Sequence, residues 1–471
     1  MVERKVYDRQ PETVLSLAVR PDGKQLALGR YDGVLVLLDA ATGKILAQPL
    51  PLKPKPPIPE KEPNDSPRTG QNIQLPATVH GVLERAGDMD YYRFQAKAGQ
   101  EIGARIQPRT ADVPTRSVAT RNMVLQLIDA DGRIVADSTT GLLGHTCTKA
   151  GVYALGVRDR DYGGNPALQY QLSIGDIAIV SSVFPLGVQR GKETEVHLQG
   201  VHLGRTRSLR LNVPADAVVG SRFSVPVAKG VLGNPSVYVD DFPQVIWRAG
   251  SRQRPEERAP FAVIPVPGTA NGRIEHPGAT QTWRFQAKKG QRLLLEVHAN
   301  RIGSPLDSVL EILDAKGRPL PRATLRSLAK TYLIFRDHDS ATTGLRIESW
   351  NELAMDDYIL LGSELLRIWE LPKNPDDNCL FWSRGGQRRG HLGTTPTFHA
   401  MGQPMYKVSL HPPGTTFPPN GLPIVTLYYR NDDGGGVFGK DSRLVFDPPA
   451  DGEYQSRLGD ARGQGSTRHA Y

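Results

Sequence analysis

Six oxygen-bearing side chains stand close together near the start of this chain. Glu60, Glu62, Asn64 and Asp65 form one run, and Asp88 and Asp90 follow in a second. Carboxylate and amide oxygens grouped in this way are the donors that Ca²⁺ takes, since it binds roughly six to eight oxygens in flexible geometry. In an extended segment Glu60 and Glu62 point to the same side, and Pro63 stiffens the backbone just before Asn64 and Asp65. Clustered acids repel unless a cation joins them. The same residues also fit a solvated acidic linker followed by an Asp-rich turn, and composition leaves both readings open.

The elements that must hold these groups are strands. In Gly87-Asp88-Met89-Asp90-Tyr91-Tyr92-Arg93-Phe94, the aromatic residues Tyr92 and Phe94 alternate, which marks the inward face of a half-buried strand with the acids at its mouth. The pattern recurs: Gly278 to Gln291 repeats Gly87 to Gln100 without a gap, with Trp283 and Phe285 as the aromatic pair. The second copy keeps the core and loses the acids. Ala279 stands for Asp88, Gln281 stands for Asp90, and no Glu-x-Glu-x-Asn-Asp run precedes it, so one metal site is expected rather than two.

Leu310 to Arg318 matches Leu125 to Arg133, each around a hairpin turn, and Asp451 to Tyr454 matches Ala150 to Tyr153, with Asp460 in the place of Asp159. The stretch between, about residues 339–440, is too long for an unstructured loop and is expected to fold as a subdomain, with strands in 344–350, 358–362 and 422–429. Tyr454 and Tyr471 are spaced as Tyr153 and Tyr170 are. Tyr170 opens the last strand of the first copy, whereas Tyr471 is the final residue, so the second copy is expected to lack its closing strand and to expose an unpaired edge.

The run Glu-Pro-Asn-Asp-Ser at 62–66, the Gly87 to Phe94 segment, Lys97 to Gln100, Leu127 to Gly132 and Ala150 to Tyr153 together resemble the bacterial pre-peptidase C-terminal family. That resemblance implies a β-sandwich appended to secreted enzymes, as in the collagen-binding modules of collagenases, with calcium held by the Glu-x-Glu-x-Asn-Asp run and the acids before Tyr-Tyr. On these terms Glu60, Glu62, Asn64, Asp65 and Asp90 are the implied ligands. Asp88 joins them in a loop one residue shorter than the collagenase spacing. Residues 14–44, with their Pro-Asp-Gly, Asp-Gly and Thr-Gly-Lys turns, resemble one WD40 blade, and propellers need several such repeats. Residues 179–204 are similar to the start of an IPT/TIG domain, an immunoglobulin-like fold that serves as spacer or interaction surface.

The expected fold is therefore all-β: tandem β-sandwiches, jelly-roll-like and immunoglobulin-like, behind the remnant of a propeller blade. The expected order is a blade in 1–50, a Pro-rich linker in 51–59, a first sandwich in 60–176, an immunoglobulin-like domain in 177–265 and a second sandwich in 266–471 that carries the insertion. The 48 glycines and 38 prolines suit short strands joined by turns. Cys147 and Cys379 fall in different modules, so no structural disulfide is expected.

No nucleophile elbow, His-Glu-x-x-His helix or phosphate-cradling loop is present, and no catalytic residue is assigned. The expected function is a non-catalytic, calcium-stabilised binding, adhesion or accessory protein of the periplasm or cell exterior, a piece of a longer multidomain chain. The alternative is a secreted protease or glycan hydrolase working through Asp356, Asp357, Asp376, Asp377, His391, His399, Asp432 and Asp433 of the insertion, although their spacing is mostly turn chemistry. His145, His197, His202 and His338 read as surface residues, and the arginine runs 205–210, 252–258 and 384–389 as solvated faces. A net charge of +9 favours anionic surfaces such as acidic polysaccharide, and without a stacking motif no nucleic acid is expected. The expected partner is an extracellular protein or polysaccharide. No apolar run is long enough to cross a bilayer, and no signal peptide opens the chain, whose N-terminus is expected to be truncated.

Overall fold

The computed structural model describes residues 14–30, 35–47, 56–109, 122–204, 207–247 and 262–471. Among them the chain is all-β, with no α-helix and therefore no helix long and apolar enough to cross a membrane. It divides into two compact units, Met1–Asp176 and Ile177–Tyr471.

Unit 1 opens with an antiparallel meander of β1 (Val14–Val19), β2 (Gln25–Arg30), β3 (Leu35–Asp39) and β4 (Ile45–Ala47). Gly23 takes φ +71° in the first turn, and Asp39 Oδ1 accepts from the Thr42 N–H and hydroxyl in the last. Leu28, Val36 and Leu38 bury together, while Leu17 and Val19 lie exposed. The stretches 31–34, 48–55 and 252–258, with the turn and linker residues and the arginine run read there, lie outside the described residues, as does Arg205.

The rest of unit 1 comprises β5 (Ile58–Pro59), β6 (Gln71–Asn72), β7 (Ala77–Val82), β8 (Met89–Ala96), β9 (Glu101–Pro108), β10 (Met123–Ile128), β11 (Ile134–Ser138), β12 (Leu142–Thr146), β13 (Gly151–Asp159) and β14 (Gln169–Gly175). They form two five-stranded sheets, β11-β10-β13-β8-β6 and β12-β9-β14-β7-β5. Alternation puts Tyr92, Phe94, Leu125 and Tyr153 of the first and Val79, Ile102, Leu172 and Ile174 of the second into one shared core. Ile58 and Pro59, expected in the linker, instead pair in parallel with β7, and Ile58 packs on that core. Proline is tolerated there because β5 is an edge strand. Since β5 borders one sheet and β6 the other, the segment from Glu60 to Gly70 must cross between them.

Unit 2 begins with β15 (Ile179–Phe184), β16 (Gly187–Gln189), β17 (Glu193–Val201), β18 (Ser208–Asn212), β19 (Arg222–Ser224) and β20 (Ser236–Asp240). These make the sheets β15-β17-β18 and β16-β20-β19 around Val188, Val196, Leu198, Val237 and Val239. Next come β21 (Gln244–Ile246), β22 (Ala262–Val263), β23 (Thr269–Asn271), β24 (Thr280–Ala287), β25 (Leu293–Glu296) and β26 (Ser308–Leu313). Long β27 (Pro321–Tyr332) then opens an additional sheet with β28 (Gly344–Leu345), β29 (Tyr358–Leu361), β30 (Glu364–Glu370), β31 (Cys379–Phe381), the hairpin β32 (Ser383–Arg384) and β33 (Gln387–Arg388), β34 (Pro404–His411) and β35 (Ile424–Tyr428). Its seven-stranded order is β28-β31-β30-β29-β34-β27-β35, with the β32–β33 ribbon apart.

The chain returns through β36 (Arg430–Asn431), β37 (Arg443–Phe446) and β38 (Gly452–Asp460). The sheet β22-β24-β38-β26-β36 then repeats the order and register of β6-β8-β13-β10-β11: Phe285 faces Tyr454 as Phe94 faces Tyr153, and Ala262 pairs with Trp283 as Gln71 pairs with Tyr92. The added sheet thus starts at Pro321, earlier than the expected 339, and its last strand closes at Tyr428. Strand β27 reads as a continuation of the preceding hairpin and is claimed by β34 and β35 only in three dimensions.

Two residues read as surface groups are buried between Pro321 and Tyr428. Arg388 lies in the core with its guanidinium on Glu364 at 2.9 and 3.1 Å, and Glu364 also meets His399 Nε2 at 2.7 Å. His338 is buried beside them, its backbone bridged to that of His399. All five tryptophans lie in unit 2, so its unfolding can be followed by their fluorescence. Glu364→Ala, which strands a buried guanidinium, is expected to destabilise unit 2 by about 3–5 kcal/mol in urea, whereas apolar replacement of Glu364, Arg388 and His399 together should cost less.

Candidate metal centre

The crossing segment carries the acid run directly over the edge where β7 and β8 lie in opposite sheets. Glu60 is fixed first: its N–H donates to His80 O at 3.0 Å, and its Oε2 accepts from Val82 N–H at 2.7 Å. Asn64 is fully buried, donating from Nδ2 to Glu60 Oε1 at 2.9 Å, with its carbonyl accepting Tyr91 N–H. Glu62 Oε2 accepts Asn64 N–H at 2.8 Å. From the other side Asp90, buried at the start of β8, brings its carboxylate to the same place. Glu60, Glu62 and Asp90 each present an oxygen within 4.8 Å of the others.

Two oxygens in this group are buried without a hydrogen-bond partner, Asn64 Oδ1 and Asp90 Oδ1. Leaving a buried acceptor unpaired costs about 1–3 kcal/mol each, so both call for a donor or a cation. All the converging donors are oxygens, the set suited to a hard cation such as Ca²⁺ rather than to zinc, which favours histidine and cysteine. The residues present fit calcium on that ground.

The other two expected ligands are placed differently. Asp88 is buried, but one carboxylate oxygen accepts the N–H of Glu84 across its own turn. Asp65 is half-buried and pairs with Arg85 at 3.5 Å. Four of the six side chains thus meet, and Asp65 and Asp88 flank them.

Two tyrosines that sequence reasoning did not assign to the site complete it. Tyr92 donates to Glu60 Oε1 at 3.3 Å and meets the Tyr170 hydroxyl at 2.6 Å, and Tyr170 in turn donates to Asp90 Oδ2. Burial, followed for Tyr92 by the charges of Glu60 and Asp90 and for Tyr170 by Tyr92 and then Asp90, holds both phenols well above their ordinary range, so they stay neutral donors. Asp90 is pushed up to about 9, by burial first and then by the neighbouring Glu60. Glu62 is also raised: partial burial and the nearby Asp65, Glu60 and Asp88 outweigh the Asn64 N–H. The signal that could have revealed Tyr170 was its matched spacing with Tyr471.

In unit 2 the same position is neutral. Tyr471 donates to Gln281 Oε1 and accepts from Trp283 Nε1 at 2.7 Å, while Gln281 Nε2 donates to Arg273 O at 2.9 Å.

Three comparisons place these observations beside known proteins. No family model matches the chain, and no curated protein sequence does. Among solved structures, the pre-peptidase C-terminal domain of collagenase from Bacillus anthracis is 20% identical, covering 24% of this chain and 99% of its own, with a TM-score of 0.18. PliG of Aeromonas hydrophila, a periplasmic inhibitor of g-type lysozyme, is 14% identical over 22% of this chain and 95% of its own, with a TM-score of 0.17.

The carboxyl of Asp90 sets a pH dependence for the metal-free protein. Its folded pKa lies above its unfolded value, so between roughly pH 4 and about 9 the unfolded chain is ionised there while the folded chain keeps the proton. Stability of unit 1 in EDTA is therefore expected to fall as pH rises through that window, by up to about 1.4 kcal/mol per pH unit. Asp90→Asn should flatten the slope, as read from circular dichroism melts.

Proposed function

We propose that this chain is a non-catalytic binding or accessory protein of the periplasm or cell exterior, whose first module is held together by one calcium ion. The observation that carries this reading is the pair of buried, unpartnered oxygens, Asn64 Oδ1 and Asp90 Oδ1, beside the carboxylates of Glu60 and Glu62. Glu60, Glu62, Asn64 and Asp90 would hold the ion, with Asp65 and Asp88 as flanking acids. Bound calcium would supply the positive charge that lets the exposed Glu62, the half-buried Glu60 and the buried Asp90 be ionised together. The chain's own part is to bring the crossing segment onto β7 and β8, through the Glu60 contacts to His80 and Val82 and the Asn64 contact to Tyr91.

On this reading the two facing sheets of unit 1 are a pre-peptidase C-terminal sandwich. Residues 177–247 form an immunoglobulin-like module, the second set of paired strands is a metal-free copy of the first, and the meander of residues 14–47 is a propeller blade. The partner class is an extracellular protein or polysaccharide, with the net charge of +9 favouring an anionic surface and no role for nucleic acid.

Calcium at a hundred times its dissociation constant should stabilise unit 1 by about 2.7 kcal/mol and leave the tryptophan-reported melting of unit 2 unchanged. Glu60→Gln with Asp90→Asn should abolish the gain. Cleavage by protease between Glu60 and Gly70 should slow on calcium addition. Equal melting of unit 1 with and without calcium would overturn the reading.

A further inference from the structure

Two tryptophans of unit 2 stand side by side on its surface. Trp369 is 52% exposed and Trp382 38%, whereas Trp283 in the core is 2% exposed. Leaving so large an apolar ring in water forgoes the burial that normally places it. The two rings meet edge to face, with centroids 4.6 Å apart and planes at 79°.

Local backbone geometry puts them there. Where β30 meets β31, Ile368 pairs with Phe381 and Glu370 with Leu380, so Trp369 is the extra residue of a β-bulge, and a bulge re-aims the side chain it carries. The β32–β33 ribbon turns through Gly385 and Gly386, with Ser383 opposite Arg388 and Arg384 opposite Gln387. Arg389 N–H donates to Trp382 O at 2.7 Å, which extends the ribbon by one more pair. Since Arg388 points inward to Glu364, strand alternation turns Trp382, Arg384 and Arg389 to the opposite, outer face. All three are exposed.

Asp356 fixes the arrangement. It takes φ +69°, a left-handed conformation that aspartate tolerates better than most residues, and its Oδ1 accepts from Trp382 Nε1 at 3.2 Å and pairs with Arg367 Nη2 at 3.1 Å. The Arg367 guanidinium lies 5.6 Å from the centre of the Trp382 ring. One carboxylate thus orients an exposed indole and the cation beside it. The surrounding charge is positive: Asp356 is taken by Arg367, Glu370 pairs with Lys373 at 3.1 Å, and among the described residues Arg384 and Arg389 have no carboxylate partner. Burial first, and then the charges of Arg389 and Arg367, push the neighbouring His391 down to about 4.

We propose that this aromatic corner is a binding site for an acidic polysaccharide, whose flat sugar faces lie on Trp369 and Trp382 and whose carboxylates meet Arg384 and Arg389. An aromatic face carries the negative side of the ring quadrupole, which the C–H bonds of a sugar complement, and a guanidinium fork matches a carboxylate. Rings at 79° do not offer the successive platforms on which a run of bases stacks, which favours sugar over nucleic acid. The inference rests on the reading of this chain as a binding protein with an anionic partner, and gives that partner a place.

The probe is polygalacturonate, added to the full chain in EDTA so that calcium held by the polymer plays no part. Calorimetry is expected to show saturable binding that weakens at least about tenfold in Trp369→Ala and in Trp382→Ala, and as much when the carboxyls of the polymer are reduced to alcohols. Arg384→Glu with Arg389→Glu, both at exposed positions, should abolish binding, and added salt should weaken it in the native protein. If a tryptophan variant unfolds early in urea, the arginine pair and the reduced polymer carry the test. No binding, binding indifferent to these substitutions, or equal binding of the reduced polymer would each overturn the proposal. Tighter binding of single-stranded oligothymidylate than of polygalacturonate would assign the surface to nucleic acid, and overturn it equally. Calcium stabilisation of unit 1, which none of these substitutions touches, reports on the accessory-protein reading by itself: a calcium response without polymer binding removes this surface alone.

Discussion

A buried tyrosine hydroxyl must find partners, and in both units that requirement fixes how the sheets close. Tyr170 and Tyr471 each lie over a glycine too tightly for any side chain there, and each reaches the residue at the mouth of the neighbouring central strand, Asp90 or Gln281. A phenol kept neutral by burial can donate once and accept from a neighbour. In unit 1 the neighbour is the hydroxyl of Tyr92, whose single proton is shared between Tyr170 at 2.6 Å and Glu60 Oε1 at 3.3 Å. In unit 2 it is the indole of Trp283, which can only donate.

That linkage is why the crossing segment of unit 1 lies where it does. Glu60 is tied to the backbone of β7 on one side and to Tyr92 of β8 on the other, so it spans the two sheets at the edge where they would otherwise part. Asn64 is then carried inward, and Glu62 is brought beside Asp90 while staying exposed. The raised pKa of Asp90 expresses that placement: burial first, and then the neighbouring Glu60, disfavour its charged form.

The parts legible in the sequence are those with local causes. Alternation located the buried pairs Tyr92 with Phe94 and Trp283 with Phe285. Short-range turn chemistry is likewise local: Asp129 and Asp314 each accept two backbone N–H groups within their hairpins, and Asp159 and Asp460 do so within theirs. What failed to show has distant causes. Arg388 stands in an arginine-rich run that looks solvated, and Glu364, Thr342 and the carbonyls of Asp339 and Thr397 draw it inside. Strands β5 and β6 are two residues long, too short for any period to register, yet they place the crossing segment. The acid run is equally visible in the sequence, but which four of its six side chains meet depends on Arg85 pairing with Asp65 and on Glu84 holding Asp88.

The two units therefore answer one packing demand with different chemistry. An amide at position 281 carries its own donor and acceptor, so Gln281 satisfies Tyr471 and the Arg273 carbonyl at once and needs nothing from outside. A carboxylate at position 90 accepts from Tyr170 and leaves its second oxygen with no donor in reach. An acid in place of the amide at this point leaves a buried oxygen unpaired beside the carboxylates of Glu60 and Glu62, a difference that Gln281 removes in unit 2.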